Sequence, residues 1–177
     1  MCVIEPTPVL ETRRLRLRAP EARDLAAIAN FCADFDVARM TTAMPHPYAL
    51  SDAERFLKSI QALDPHRERV FLIEHEQDGP AGMVGFHQGD DPYPEIGYWV
   101  AKPFWGRGFA TEAAQAALDW AKRTWKRKVV ASGHFPDNPA SGRVLTKCGF
   151  LYTGEVRRRR CVARDAEVDL RMMVWLA

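Results

Sequence analysis

Alternating apolar and polar residues mark several short segments of this chain as strands. From Leu10 to Arg18, leucines alternate with charged residues, which predicts a strand with its leucines in a core and Arg14, Arg16 and Arg18 facing water. Later runs of the same kind follow, and Asp78-Gly79 lies between the first two of them, as is typical of a hairpin turn. We predict these strands over residues 70–76, 81–87, 95–101, 128–135, 151–160 and 167–175.

Helical spacing of apolar residues predicts about four helices between the strands. The sequence Ser51-Asp-Ala-Glu54 has the form of a capping box, and Asn138 followed by Pro139 is a second start signal. The segment from Asp34 to Leu50 is irregular and long enough to predict a functional loop. The helices are predicted over residues 20–33, 51–63, 110–124 and 139–148.

This order of elements predicts one α/β (α+β) domain spanning residues 1–177. Its sheet should be mixed and mostly antiparallel, with about seven strands flanked by about four helices. The run of strand 95–101, helix 110–124 and strand 128–135 predicts a right-handed crossover between two parallel strands.

A glycine turn joins strand 95–101 to the helix that follows it. Gly106 and Gly108 let the backbone approach an anion closely, and the amides from Arg107 to Thr111 begin a helix whose positive dipole end faces that anion. No Lys-Ser/Thr pair of a nucleotide P-loop follows Gly108, and the acidic residue of a dinucleotide fingerprint is missing. The turn therefore predicts a site for another diphosphate.

The wider pattern is Trp105-Gly-Arg-Gly108-Phe-Ala110-Thr-Glu-Ala113, then Asn138-Pro-Ala-Ser141 and Lys147-Cys-Gly149-Phe150. It resembles the GNAT superfamily of acetyl-CoA-dependent N-acetyltransferases, and within it the Rim-type branch that acetylates ribosomal-protein N-termini. The resemblance covers almost the whole chain. It implies a sheet whose parallel strands splay at the acetyl-CoA site. Trp105 stands where the family has Gln or Arg, which removes a polar contact and leaves the backbone turn unaffected.

The resemblance also assigns cofactor-binding residues. Backbone groups on strand 95–101 would bond the pantetheine and the thioester oxygen, turn amides would hold the diphosphate, and an asparagine would bond the pantetheine arm. Those residues are Trp99, Val100 and Ala101 on the strand, Gly106, Arg107, Gly108, Phe109, Ala110 and Thr111 in the turn and helix, and Asn138.

Three residues are candidates for catalysis, two as the base and one for the departing sulfur. Glu95 would act as the base through a water, although a solvated charge beside Pro94 explains it equally well, and His134 is a second candidate base. Many GNAT enzymes have a tyrosine as general acid where this chain has Leu145. Ser141 would then protonate or bond the departing sulfur, although it also fits as a small first-turn residue, just as Asn138 fits as a helix cap.

Charge and cysteine content exclude several classes of site. The net charge of +2 argues against an extended nucleic-acid track. The run from Arg157 to Arg160 is either a solvated hairpin or a surface for an acidic protein, rRNA or the 3′-phosphate of CoA. The four cysteines lack metal-ligand spacing, which predicts reduced thiols and no metal site. With no signal peptide or apolar span recognisable, a cytoplasmic location without membrane contact is expected.

The leading hypothesis is an acetyl-CoA-dependent N-acetyltransferase that acts on a primary amine, either a protein N-terminal α-amine or a small-molecule amine. The amine would attack directly in a ternary complex, and a homodimer through the closing strands fits the pattern. A non-catalytic acyl-CoA-binding sensor is the alternative hypothesis. An RNA-binding module using the arginine run is a third, but no aromatic residues are interleaved with those arginines.

Overall fold

A computed structural model describes residues 6–177 as one sheet with helices on both faces. The strands are β1 (Leu10–Glu11), β2 (Leu15–Arg18), β3 (Arg69–His75), β4 (Gly79–Gln88), β5 (Pro94–Val100), β6 (Val129–His134), β7 (Leu151–Cys161) and β8 (Ala166–Leu176). The helices are α1 (Leu25–Cys32), α2 (Phe35–Ala38), α3 (Leu50–Gln61), α4 (Phe109–Arg123) and α5 (Pro139–Lys147).

The strands follow the order β1-β2-β3-β4-β5-β6-β8-β7 across the sheet. Neighbours are antiparallel except β5 and β6, which are parallel and joined by α4. The predicted α/β (α+β) class, with its mixed and mostly antiparallel sheet, is therefore confirmed. Within the described residues, however, the sheet has eight strands rather than about seven.

The extra strand arises because the predicted strand 10–18 is broken into a tight hairpin. Leu10 pairs with Leu17 across this turn. Thr12 closes the turn, since its amide donates to the carbonyl of Leu15 and its hydroxyl oxygen accepts from the amide of Leu15, both at 2.9 Å. Alternation of residue types cannot show such a turn, because the turn depends on hydrogen bonds between two particular residues.

The prediction that Arg18 faces water is wrong. Its side chain is buried, and its guanidinium donates to both carboxylate oxygens of Asp24 at 2.8 Å and to Glu74 at 2.7 Å. Burial alone would raise the pKa of Asp24, but the bonds from Arg18 and from the Glu21 amide outweigh it and lower that pKa. The arginine can be buried because two carboxylates, one of them distant in sequence, neutralise its charge.

Helices α4 and α5 cover one face of the sheet and α1 and α3 cover the other. A stripe of alanines on α4 is completely buried at Ala113, Ala114 and Ala117, which lets the helix lie close to the strands. On the opposite face, Ile28 and Ala53 bring α1 and α3 against the sheet.

The first predicted helix, 20–33, starts too early. Helix α1 begins at Leu25, and a short 3-10 turn over Ala22–Asp24 precedes it.

Two further predictions need correction, one of a helix start and one of a loop. Helix α3 begins before the predicted capping box, because the Asp52 carboxylate accepts from the Ala49 amide at 2.7 Å in place of the pairing predicted from Ser51 and Glu54. The segment 34–50 also contains the short helix α2, capped by Asp34.

Candidate active site

Strands β5 and β6 part from each other soon after they meet. They pair at Glu95 and Ala131, and the Ser132 hydroxyl donates to the carbonyl of Ile96 at 2.9 Å. Further along β5, the described residues show pairing with β4 but not with β6. The central sheet therefore has a gap at the point where the family resemblance implies a splayed parallel pair.

The backbone of β5 presents Val100 to this gap. The Ala101 amide donates to the carbonyl of Ala81 on β4 at 2.8 Å, and the Ala101 carbonyl accepts from Phe104 at 2.9 Å. Because successive residues of a strand direct their hydrogen-bonding groups to opposite edges, Trp99 faces β4 and Val100 faces the gap. Of the three strand residues predicted to bind cofactor, Val100 is the best placed to use its backbone.

The glycine turn leaves several helix amides available to an anion. Gly106 and Gly108 have φ values of 75° and 80°, the left-handed region that favours glycine. Helix α4 starts directly afterwards, and the Glu112 amide makes a helical bond to the carbonyl of Gly108. The amides of the residues before Glu112 have no intrahelical acceptor, so the turn fits a diphosphate. The Arg107 amide is only weakly engaged, with its nitrogen 3.4 Å from the Phe104 carbonyl oxygen.

Two arginines flank the start of α4. The guanidinium of Arg14 lies 2.7 Å from Glu112 and donates to the carbonyl of Arg107 at 2.9 Å. The Arg107 side chain pairs with Asp78 at 3.0 Å, and both guanidiniums lie over the ring of Phe109. These contacts fix the first turn of the helix against the β1–β2 turn and the β3–β4 hairpin. Only tertiary contacts could reveal the part that Arg14 plays.

Trp105 links the glycine turn to the end of β5. Its indole Nε1 donates to the carbonyl of Val100 at 2.7 Å, while 47% of the residue remains exposed. The side chain that replaces the family's Gln or Arg therefore makes a polar contact of its own within the protein.

Helix α5 brings Ser141 to a tyrosine of β5. The Asn138 side chain accepts from the Ser141 amide at 3.2 Å, as its predicted capping role requires. The Tyr98 hydroxyl lies 2.9 Å from Ser141 Oγ and 3.0 Å from the Ser141 carbonyl oxygen. Because burial raises the pKa of Tyr98, the phenol keeps its proton. Sequence reasoning missed Tyr98, because an aromatic residue within a strand gives no sign of its partner.

Leu145, which stands where many GNAT enzymes have a tyrosine, is completely buried in the core. Its side chain therefore packs instead of facing the site, and the hydroxyl of Ser141 lies on the preceding turn of the same helix.

Glu95 lies in the wall of a cavity. Its side chain is 13% exposed, with His87 Nε2 at 3.8 Å and a guanidinium nitrogen of Arg159 at 3.7 Å. This degree of burial does not fit the alternative of a fully solvated charge. Two groups that can carry positive charge therefore surround the carboxylate without bonding it closely.

His134 has both ring nitrogens engaged. Nδ1 lies 2.8 Å from the Phe135 carbonyl oxygen and Nε2 lies 2.9 Å from the Tyr152 hydroxyl, in a residue that is 5% exposed. A β-carbon on Gly142 would lie 2.7 Å from His134 Nε2, so this pair fills the space beside α5. The geometry favours a packed histidine over a base that is free to take a proton.

A cavity of about 750 Å³ runs along this part of the sheet. It brings together five of the predicted site residues, and the residues of the glycine turn are not among its lining. Those five are Glu95, Trp99, His134, Asn138 and Ser141.

The run of four arginines is paired within the protein. Each guanidinium has a carboxylate within 4.0 Å, which favours the solvated hairpin over a surface for RNA or another acidic partner. The pairs are Arg157 with Asp91 and Glu155, Arg158 with Asp169, Arg159 with Asp90, and Arg160 with Asp165.

The cysteines that the structure describes are buried and free. Burial raises the pKa of Cys32 to about 12 and that of Cys148 to about 11, as expected for unreactive thiols. Cys2 lies outside the described residues.

Within residues 6–177, no group of three or more His, Cys, Asp or Glu side chains could hold a metal ion. In the same range, no helix has the length and apolar character to cross a bilayer.

Residues 14–151 match the family described as Acetyltransferase (GNAT) domain. The chain belongs to the GNAT family. It is therefore an N-acetyltransferase by family, as the sequence resemblance predicts. The uncharacterized N-acetyltransferase p20 of Bacillus licheniformis is 28% identical over 152 residues, which cover 84% of this chain and 85% of that protein.

Solved GNAT structures share the fold. RimJ of Mycobacterium smegmatis, in complex with CoA-disulfide, aligns with a TM-score of 0.81 and 22% identity over 98% of this chain and 88% of that one. Spermidine N-acetyltransferase of Vibrio cholerae, in complex with CoA and spermine, aligns with a TM-score of 0.76 and 23% identity over 93% and 96% of the two chains. The predicted GNAT fold is thus confirmed, and its neighbours include a Rim-type protein.

Proposed function

We propose that this GNAT protein transfers the acetyl group of acetyl-CoA to a primary amine by direct attack in a ternary complex. The observation that carries the proposal is the gap between β5 and β6, with the glycine turn at the end of β5 and a cavity that contains both Glu95 and Ser141. An acyl donor lying in the gap would meet an amine held in the cavity.

Backbone groups would hold the donor. The amides of Phe109, Ala110 and Thr111, together with Gly108, would bond the diphosphate at the start of α4. The Val100 amide would donate to the thioester oxygen as a single-donor oxyanion hole, and Asn138 would bond the pantetheine arm. Acetyl-CoA supplies the acetyl group as a thioester whose carbon is open to attack.

The acceptor must lose a proton before or during attack. An α-amine with a pKa near 8 is about one-tenth neutral at pH 7, a penalty of ~1.4 kcal/mol, whereas an amine near 10.4 has a penalty of ~4.6 kcal/mol. Glu95 would take that proton, directly or through a water, from an amine bound beside it in the cavity.

The sulfur that leaves carries negative charge. The Tyr98 phenol has one proton, which either the Ser141 carbonyl oxygen or Ser141 Oγ can accept. When that proton goes to Oγ, the serine proton is free to bond the sulfur. A thiol with a pKa near 8.5 leaves readily as a thiolate, so a hydrogen bond from Ser141 would suffice without full proton transfer.

Steady-state release of CoA with a panel of amines tests the proposal, with acetyl-CoA binding measured in parallel by calorimetry. Turnover that saturates with one class of amine supports it. Tight binding of acetyl-CoA without turnover on any amine would contradict it and support the acyl-CoA-binding sensor.

A further inference from the structure

We propose that the amine acceptor is a compact molecule with one primary amine on an apolar body, such as an aryl-alkyl or branched aliphatic amine. This inference rests on the proposed acetyl transfer and names the substrate class of the same site. The inference is drawn from the side chains that form the wall of the cavity containing Glu95. The chemistry of acetyl transfer alone does not specify the acceptor.

Much of that wall is apolar. It is formed by α3, the segment before it and the sheet, and its aromatic, aliphatic and thioether side chains offer dispersion contacts and few hydrogen bonds. Six of these residues are Met40, Met44, Phe56, Ile60, Leu63 and Val70. A ligand that gains affinity from such walls must bring apolar surface of its own.

Several charged groups in the wall already have partners within the protein. Asp52 is bonded to Arg55, and its carboxylate also accepts from the amide at the start of α3. Arg159 is paired with Asp90 at 2.8 Å. These groups add little free charge to the cavity.

Glu95 is the wall carboxylate beside the gap, and the nitrogens of Arg159 and His87 nearest to it lie at 3.7 and 3.8 Å. Glu68 also lines the cavity, with an oxygen 3.3 Å from the Gln88 amide. A polyamine carries several ammonium groups, each of which needs an anionic or polar partner when it leaves water. One carboxylate near the gap and apolar walls beyond it match a single amine better.

The size and character of the cavity also separate a small amine from a peptide. A volume of about 750 Å³ lies in the range of small-molecule sites. A peptide entering it would bring a backbone N–H and C=O at nearly every residue, and those facing methionine, phenylalanine and leucine side chains would lose hydrogen bonds to water without replacement.

The test compares phenethylamine, spermidine and a tetrapeptide with a free N-terminal alanine, each with saturating acetyl-CoA at about pH 9, where differences in amine ionisation are reduced. We expect kcat/KM for phenethylamine to exceed that of either other amine by about tenfold or more. A preference for spermidine or the peptide would overturn this inference and leave the acetyl transfer standing. No turnover with any amine would overturn both.

A matched pair of variants on α3 locates the effect. Ile60→Lys places a charge in the apolar wall, whereas Gln61→Lys places the same side chain at the exposed neighbouring position. We expect Ile60→Lys to raise KM for phenethylamine about tenfold with KM for acetyl-CoA unchanged, and Gln61→Lys to change neither. If Ile60→Lys does not fold, Met44→Gln repeats the test with a polar side chain of similar size. An unchanged KM in a folded variant of the wall would overturn the inference.

Discussion

Tyr98→Phe isolates the contribution of one phenol oxygen to the handling of the departing sulfur. The substitution keeps the ring that packs between β5 and α5 and removes an oxygen 2.9 Å from Ser141 Oγ. A neutral hydrogen bond contributes a net ~0.5–1.5 kcal/mol. If the whole of that energy serves to orient the serine in the transition state, a loss of ~1 kcal/mol lowers kcat about fivefold.

A double-mutant cycle distinguishes positioning from packing. We expect Ser141→Ala to lower kcat at least as much as Tyr98→Phe, and the double variant to be no slower than Ser141→Ala, because the phenol acts only through the serine. KM for acetyl-CoA should stay within about twofold of wild type in all three variants. Tyr93→Phe, which removes a phenol outside the cavity lining, is the control.

Two results would refute this reasoning. Multiplicative losses of kcat in the double variant would show that the two hydroxyls act independently. A normal kcat for Tyr98→Phe beside a slow Ser141→Ala would show that the serine needs no support from β5.

The other predictions concern the glycine turn, the base and the buried ion pair. Gly108→Val should weaken CoA binding in calorimetry by about tenfold or more, because the valine side chain would enter the diphosphate site. Gly154→Val, at a similar φ of 83° and with no atom nearby, controls for backbone strain and should bind CoA as wild type does. Glu95→Gln should lower kcat/KM by about 10²-fold, most at low pH where the amine is protonated; a pH–rate profile identical to wild type would exclude Glu95 as the base. Asp24→Asn should lower the free energy of unfolding by about 3–5 kcal/mol at pH 7, measured with urea, by leaving Arg18 with a weakened partner. Because the pKa of Asp24 is lower in the folded protein, Asp24 stabilises the fold above its unfolded pKa of about 3.9, and that contribution is lost as the pH falls through the folded pKa. Equal free energies of unfolding in urea for wild type and Asp24→Asn at neutral pH would contradict the prediction.

The glycine turn could be predicted from sequence because its features are local. Positive φ at Gly106 and Gly108, a helix start directly after them and a cap at Asn138 each depend on residues a few positions apart. The strand and helix order followed from periodicity for the same reason. These features placed the glycine turn and the start of α4 correctly along the chain.

Contacts between distant residues could not be predicted in this way. The burial of Arg18 depends on Glu74, and the anchoring of α4 depends on Arg14, 98 positions before the glutamate it bonds. The contact of Tyr98 with Ser141 spans 43 positions and has no local pattern. Such pairs become visible only when the sheet is assembled, so the sequence alone predicted Ser141 as a candidate but not the tyrosine that contacts it.

The central claim is that the backbone amides at the start of α4 hold the diphosphate of CoA. The most direct test is a crystal structure of the protein grown with acetyl-CoA. We predict diphosphate oxygens within about 3.2 Å of the amide nitrogens of Gly108, Phe109 and Ala110. Phosphates bound anywhere else on the protein, with these amides facing solvent, would contradict the account.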